Sequence, residues 1–83
     1  MKITVRYFAA IREALGQGSE LVETTATTLA GLRDELMARG SPWSETLARG
    51  RAVRLALDQT LCDESVALRD GCEVAFFPPV TGG

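Results

Sequence analysis

Histidine is absent from this 83-residue chain, and cysteine occurs only at Cys62 and Cys72. Without histidine, the usual Ser-His and Cys-His nucleophile pairs cannot be built. The two cysteines do not match the paired spacing of zinc ligands, and two thiols cannot supply the four ligands of an ordinary iron–sulfur cluster. They read as small, partly buried side chains of a reducing compartment, and no metal site is expected. No run approaches the roughly 20 apolar residues of a membrane span. Met1-Lys2-Ile3-Thr4-Val5 enters an alternating pattern at once, without the apolar stretch and cleavage site of a secretory signal. The expectation is a cytoplasmic protein with no membrane attachment. Lysine is also scarce: Lys2 is the only one. The remaining basic residues are arginines scattered along a chain of net charge −2, so no basic block points to nucleic acid.

Hydrophobic residues make up 46% of the sequence, enough for one small domain with a thin core. From Lys2 to Phe8 the chain alternates. Ile3, Val5 and Tyr7 share one face; Lys2, Thr4, Arg6 and Phe8 share the other, as in a half-buried strand. Ala9–Leu15 reads as a short helix stopped by glycine at 16 and 18, and Leu21–Thr24 as a short strand. Leu29, Leu32, Leu36 and Met37 form a helical stripe, with Thr28 as N-cap and Gly40 as stop. Ser41-Pro42 predicts a further helix start, serine as cap and proline at the first helical position, running to about Gly50 and carrying Trp43. Val53, Leu55 and Leu57 alternate with Ala52, Arg54 and Ala56 in another strand. Asp58-Gln59-Thr60 is a turn, and Leu61-Cys62 a very short strand. The Arg69-Asp70-Gly71 turn launches a last strand, Cys72–Phe77, with Val74 and Phe76 on one face and Ala75 and Phe77 on the other. Pro78-Pro79 ends it, since neither proline donates to a ladder. One main amphipathic helix, short extra helices and a half-polar mixed sheet make a two-layer α+β domain over residues 1–79. The β-grasp fold fits this order, with first and last strands side by side in mid-sheet.

Residues 80–83, Val80-Thr81-Gly82-Gly83, form a flexible tail beyond the stiff Pro-Pro step. Four extended residues reach about 13 Å. Glycine lacks a Cβ, so such a tip passes through a channel too narrow for other residues. A stiff base, a slim tip and a carboxylate suit a probe for another protein's active site. The expected working group is the Gly83 carboxylate, inserted by Val80, Thr81 and Gly82.

The run Phe76-Phe77-Pro78-Pro79-Val80-Thr81-Gly82-Gly83 resembles the C-terminal signature of the small, sulfur-carrier subunits of molybdopterin synthase. The resemblance extends to Val5-Arg6-Tyr7-Phe8-Ala9, Arg12-Glu13, Leu57-Asp58-Gln59-Thr60-Leu61 and Asp70-Gly71-Cys72-Glu73-Val74-Ala75. Asp58 stands where the family pattern has asparagine. The resemblance implies a ubiquitin-like β-grasp and a chemical cycle. A ubiquitin-activator-like adenylating enzyme uses ATP to make a Gly83 acyl-adenylate. A sulfur donor then replaces AMP to leave a thiocarboxylate. The tail enters the large subunit and passes sulfur to cyclic pyranopterin monophosphate. It further implies no permanently bound cofactor, catalytic residues on the partner, and an assembly of two small and two large subunits. Related chemistry is shared by sulfur carriers for thiamine or tRNA thiolation and by ubiquitin-like protein modifiers. Strand alternation puts Phe8 and Phe77 on the outer face of neighbouring strands, with Leu61 as a third member. The expectation is an apolar patch at the root of the tail that docks on the large subunit.

Overall fold

The structure, a computed structural model, describes residues 1–79. Five strands form one sheet: β1 (Lys2–Tyr7), β2 (Ser19–Glu23), β3 (Arg54–Leu57), β4 (Thr60–Cys62) and β5 (Glu73–Phe77). Three helices interrupt them: α1 (Ala9–Leu15), α2 (Leu29–Met37) and α3 (Trp43–Thr46). The sheet order is β2-β1-β5-β3-β4. β1 and β5 pair in parallel at its centre, Thr4 opposite Glu73 and Tyr7 opposite Phe76, while the other pairs are antiparallel. This is the mixed β-grasp sheet expected from the element order.

The inward face of β1 carries Ile3, Val5 and Tyr7, all essentially without solvent contact. With Val74 and Phe76 of β5 and Leu55 of β3 they meet Leu29, Leu32 and Leu36 of α2, with Ile11, Leu15, Trp43 and Leu47 closing the ends. Each large side chain buried here contributes about 1.5–3 kcal/mol. Local signals set the helix limits. Thr28 Oγ1 accepts the Gly31 N–H at 3.2 Å and caps α2. Gly16 takes a left-handed conformation (φ 76°) and stops α1.

Several boundaries depart from the sequence reading. β1 ends at Tyr7 rather than Phe8, because Phe8 becomes the N-cap of α1, its carbonyl accepting from Ile11 and Arg12. β2 starts earlier and ends before Thr24, whose buried hydroxyl accepts the Ala26 N–H at 2.9 Å and donates to Glu35, turning the chain. α2 is already over at Met37. Pro42, not Ser41, precedes α3, after a cis Ser41-Pro42 bond. Ser41 Oγ donates instead to Glu45 at 2.9 Å. α3 stops at Thr46 rather than near Gly50. Just beyond its end stands Arg33 of α2, which is buried. Its Nε donates to the Leu47 carbonyl at 2.7 Å and its Nη2 to Ala48 at 3.2 Å. The Ala48 carbonyl also accepts the Arg51 N–H at 3.0 Å, so the guanidinium braces the turn that follows α3. β3 begins at Arg54, one residue past Val53, and Thr60 belongs to β4.

Tyr7 gives one prediction. Its hydroxyl donates to Glu20 Oε2 at 2.7 Å, and Glu20 also receives both Arg39 terminal nitrogens at 2.9 and 3.0 Å. Burial, then the hydrogen bond and charge of Glu20, push the Tyr7 phenol well above its ordinary range. A raised pKa favours the protonated folded state. The stability it contributes is therefore complete below about pH 10 and is lost as pH rises beyond that. Tyr7→Phe should lose about 1 kcal/mol at neutral pH through the missing hydrogen bond, yet decline less steeply above about pH 10. Urea midpoints at neutral and alkaline pH check this; parallel alkaline declines in both proteins would refute it.

Candidate functional site

The outward face of the sheet is built from the residues that alternate with the core. Arg6, Ala75, Ala56 and Leu61 are successive Cα partners across β1, β5, β3 and β4. The two alanines are almost fully covered, and their short side chains leave a depression between larger neighbours. Phe8, Phe77 and Leu61 stand around it, with Pro78 and Pro79 alongside, in an open apolar groove of about 560 Å³. Phe8 is 38% exposed and Leu61 70%, while Phe77 is half-buried. The structure thus brings together the three aromatic and aliphatic residues singled out from the sequence. A further exposed apolar side chain on this face, Leu21 of β2, sits apart, opposite Thr4.

Two interactions hold the groove in shape. The Arg6 guanidinium lies 5.1 Å from the centre of the Phe8 ring and 3.6 Å from the Glu73 carboxylate. A cation at this distance attracts the ring face, by roughly 0.5–1 kcal/mol at an exposed site. On the other side, the β3–β4 hairpin turns on Asp58 and Gln59, both with positive φ (48° and 68°). A two-residue turn of this kind suits the twist of paired strands. Asp58 Oδ1 accepts the Glu73 N–H at 2.9 Å, the Asp58 N–H donates to the Glu73 carbonyl at 2.8 Å, and Oδ2 accepts from Arg69 at 3.2 Å. The aspartate therefore needs no amide donor: as an acceptor it ties the hairpin, and with it Gln59 and Leu61, to the start of β5.

Ala56, Ala75 and Arg6 escaped the sequence reading as groove residues. Small side chains at outward positions between bulky ones were the available signal. The depth they create exists only once three strands lie side by side.

β5 ends at Phe77, and Pro78-Pro79 carry the chain off the sheet at the groove. Val80, Thr81, Gly82 and Gly83, the expected reactive tail, lie outside the described residues. Cys72 is buried and Cys62 half-buried, both as free thiols. Burial, then the nearby Asp63 charge, push the Cys62 thiol up, which disfavours the thiolate. Among the described residues no group of three His, Cys, Asp or Glu side chains is placed to hold a metal, and no helix is long and apolar enough to cross a membrane.

A parallel central β1–β5 pair, a helix-backed mixed sheet and an outward apolar groove at the chain's exit define a ubiquitin-like β-grasp domain. The chain belongs to the ThiS family, whose profile matches residues 5–83. It is 41% identical over 81 residues to the molybdopterin synthase sulfur carrier subunit of Escherichia coli K12, across 98% of this chain and 99% of that one. The corresponding subunit of Haemophilus influenzae is 37% identical over 81 residues, with the same shares covered. Among solved structures, the protein–protein complex of subunits 1 and 2 of the molybdopterin-converting factor from Helicobacter pylori contains a similar chain. It superposes with a TM-score of 0.72 at 28% identity, over 100% of both chains.

Proposed function

We propose that this chain is the sulfur-carrier subunit of a molybdopterin synthase and holds the transferred sulfur on Gly83. The observation that carries this reading is the likeness to named sulfur carriers over 98% of the chain, within a family match that runs through Gly83. The groove at the Pro78-Pro79 exit supports it, because a domain that delivers its tail must hold a partner close to the tail's root.

A carboxylate is a poor acyl donor until one oxygen becomes a good leaving group. ATP supplies that: the Gly83 carboxylate attacks the α-phosphorus, pyrophosphate leaves, and an acyl-adenylate forms on an activating enzyme. Sulfur at the oxidation level of sulfide then attacks the carbonyl carbon. The C–O bond to AMP breaks and a thiocarboxylate remains. This group is anionic near neutral pH and strongly nucleophilic. In the large subunit its sulfur passes to cyclic pyranopterin monophosphate, and water at the acyl carbon restores the carboxylate. A dithiolene needs two sulfurs, so two charged carriers serve each product molecule. The Helicobacter pylori complex supports a large-subunit partner, and an assembly of two small and two large subunits is part of the proposal. ATP is consumed by the activating enzyme, and the acids and bases of the transfer reside on the partner. The cytoplasm, where both nucleotide and reduced thiols are held, is the proposed compartment.

Intact mass spectrometry of protein from the native cell tests this. Exchange of one carboxyl oxygen for sulfur adds about 16 Da, and fragmentation should place it on Gly83. The same gain is expected in a Cys62→Ala, Cys72→Ala double variant, since Cys72 is buried and burial and the Asp63 charge push the Cys62 thiol up. Sulfur found obligatorily as a persulfide on either cysteine would overturn the reading.

A further inference from the structure

The outward groove is apolar on its floor and cationic at its edges. Arg6 of β1 and Arg54 of β3 lie on the two strands that flank β5. Arg6 is the Cα partner of Ala75, and Arg54 of Phe77. Arg54 shares its face with Ala56, two residues further along β3, and so stands beside the groove that Ala56 lines. Strand spacing and the two-residue offset set the Cα atoms of the two arginines about 12 Å apart. Other arginines are used inside the domain: Arg33, Arg39, Arg49 and Arg69 donate to carbonyls or carboxylates. Arg6 and Arg54 differ. Among the described residues neither guanidinium donates a hydrogen bond, and Arg54 has no ion pair. The Arg6 contact with Glu73, at 3.6 Å, is too long for a hydrogen bond, and the Arg6 side chain is 45% exposed. Asp58, the carboxylate at the start of β5, is taken up by the Glu73 N–H and by Arg69. The groove edge is thus locally positive on a chain whose net charge is −2.

Docking of the large subunit over this groove belongs to the proposed function, on which the inference rests, and it brings both guanidiniums to the edge of a covered surface. A guanidinium withdrawn from water without an acceptor is strongly disfavoured, and a second cation facing it would be repelled. A carboxylate offers two coplanar acceptors that match the guanidinium's fork. Arg6 is held ready for one: the Phe8 ring lies against it at 5.1 Å and Glu73 at 3.6 Å, so its side chain loses less freedom on docking. We infer that the large-subunit surface seated on the groove presents carboxylates to Arg6 and Arg54. The alanine floor and the aromatic rim supply apolar burial, which is non-directional. The two charges, one on each side of β5, fix the register and speed the encounter. Register matters because Pro78 and Pro79 leave the sheet at this groove, so a shift of the domain on its partner shifts the tail's root by the same amount.

The test measures association and dissociation of the full-length chain on the immobilised large subunit from the same cell, across salt concentrations. The parent's association rate should fall at least about tenfold between about 0.01 M and about 1 M salt, as screening shortens the reach of the charges. An Arg6→Gln, Arg54→Gln double variant should bind at least about tenfold more weakly at low salt, with a flatter salt dependence. An Arg54→Gln single variant, which leaves the Arg6–Phe8 contact intact, should show part of both effects. An Arg6→Lys, Arg54→Lys variant should keep the parent's salt dependence, because charge is retained, while dissociating faster, because the bidentate fork is lost. A parent chain that binds with no salt dependence, or glutamine variants that bind as well as the parent or better, overturns the inference and leaves the carrier function standing. The parent's own salt dependence decides this even if a variant fails to fold. A parent chain that does not bind the large subunit at any salt concentration overturns the proposed function, and this inference with it.

Discussion

Deletion of Gly83 is expected to reduce sulfur transfer to background while leaving the domain folded. The core and the sheet are complete by Phe77 among the described residues. On the proposed function the chemistry does depend on Gly83, because acyl activation and thiocarboxylate formation would both occur on its carboxyl carbon. A deletion ends the chain one residue, about 3.3–3.6 Å, short of the reacting position. Displacements of about 1 Å already cost about a hundredfold where geometry controls the rate. A residue fused beyond Gly83 should be equally inactive, since the carboxylate is then an amide. Gly82→Val should fall at least about tenfold if the tail, as proposed, enters a partner channel too narrow for a side chain. Thermal unfolding should be unchanged in all three. Molybdopterin formation with purified large subunit and activating enzyme is the measurement. A tagged chain, verified as uncleaved, that supports the normal rate would show that the working group lies elsewhere.

Loss of Phe8 and Phe77 should uncouple folding from docking. Both rings stand at the rim of the groove rather than in the core, and beyond the Arg6 contact with its ring, worth roughly 0.5–1 kcal/mol, Phe8 contributes through its backbone. Its N–H donates to Phe76 at 3.1 Å, and its carbonyl accepts from Ile11 and Arg12. Alanine keeps those bonds. The stability cost of a Phe8→Ala, Phe77→Ala double variant should therefore be modest. Burying a phenylalanine fully is worth about 1.5–3 kcal/mol, and aromatic anchors dominate many interfaces. If the large subunit covers the groove, the double variant should bind at least about tenfold more weakly, or about 1.4 kcal/mol. Calorimetric titration of folded protein decides the matter. Unchanged affinity would place the docking surface elsewhere.

The two predictions act on different groups, and together they separate delivery from chemistry. A groove variant should still accept sulfur if the activating enzyme grips a different surface. It should fail at both steps if one surface serves both partners. A Gly83 deletion should still bind the large subunit through the groove. The mechanism therefore predicts that excess Gly83-deleted chain competes with the intact carrier.

Much of this was legible in the chain itself. The alternation from Lys2 to Tyr7 assigned Ile3, Val5 and Tyr7 to the core because neighbouring side chains of a strand must point to opposite sides. Thr28 announced α2 and Gly16 closed α1, since capping and left-handed backbone are local demands of helix ends. The prolines at 78 and 79 marked the end of β5 for the same kind of reason. Tertiary structure decided the rest. Periodicity says which side of a strand is buried, but not which strand lies beside it. The adjacency of β1 and β5 sets Phe8 near Phe77 and gives Ala56 and Ala75 a shared floor. The chain just past α3 is held by Arg33, more than ten residues upstream, which donates to the Leu47 and Ala48 carbonyls. Asp58 works as an acceptor because β5 brings the Glu73 N–H to it. In each case the deciding partner is distant in sequence, and a hydrogen bond or a packed floor forms only after the chain has closed on itself.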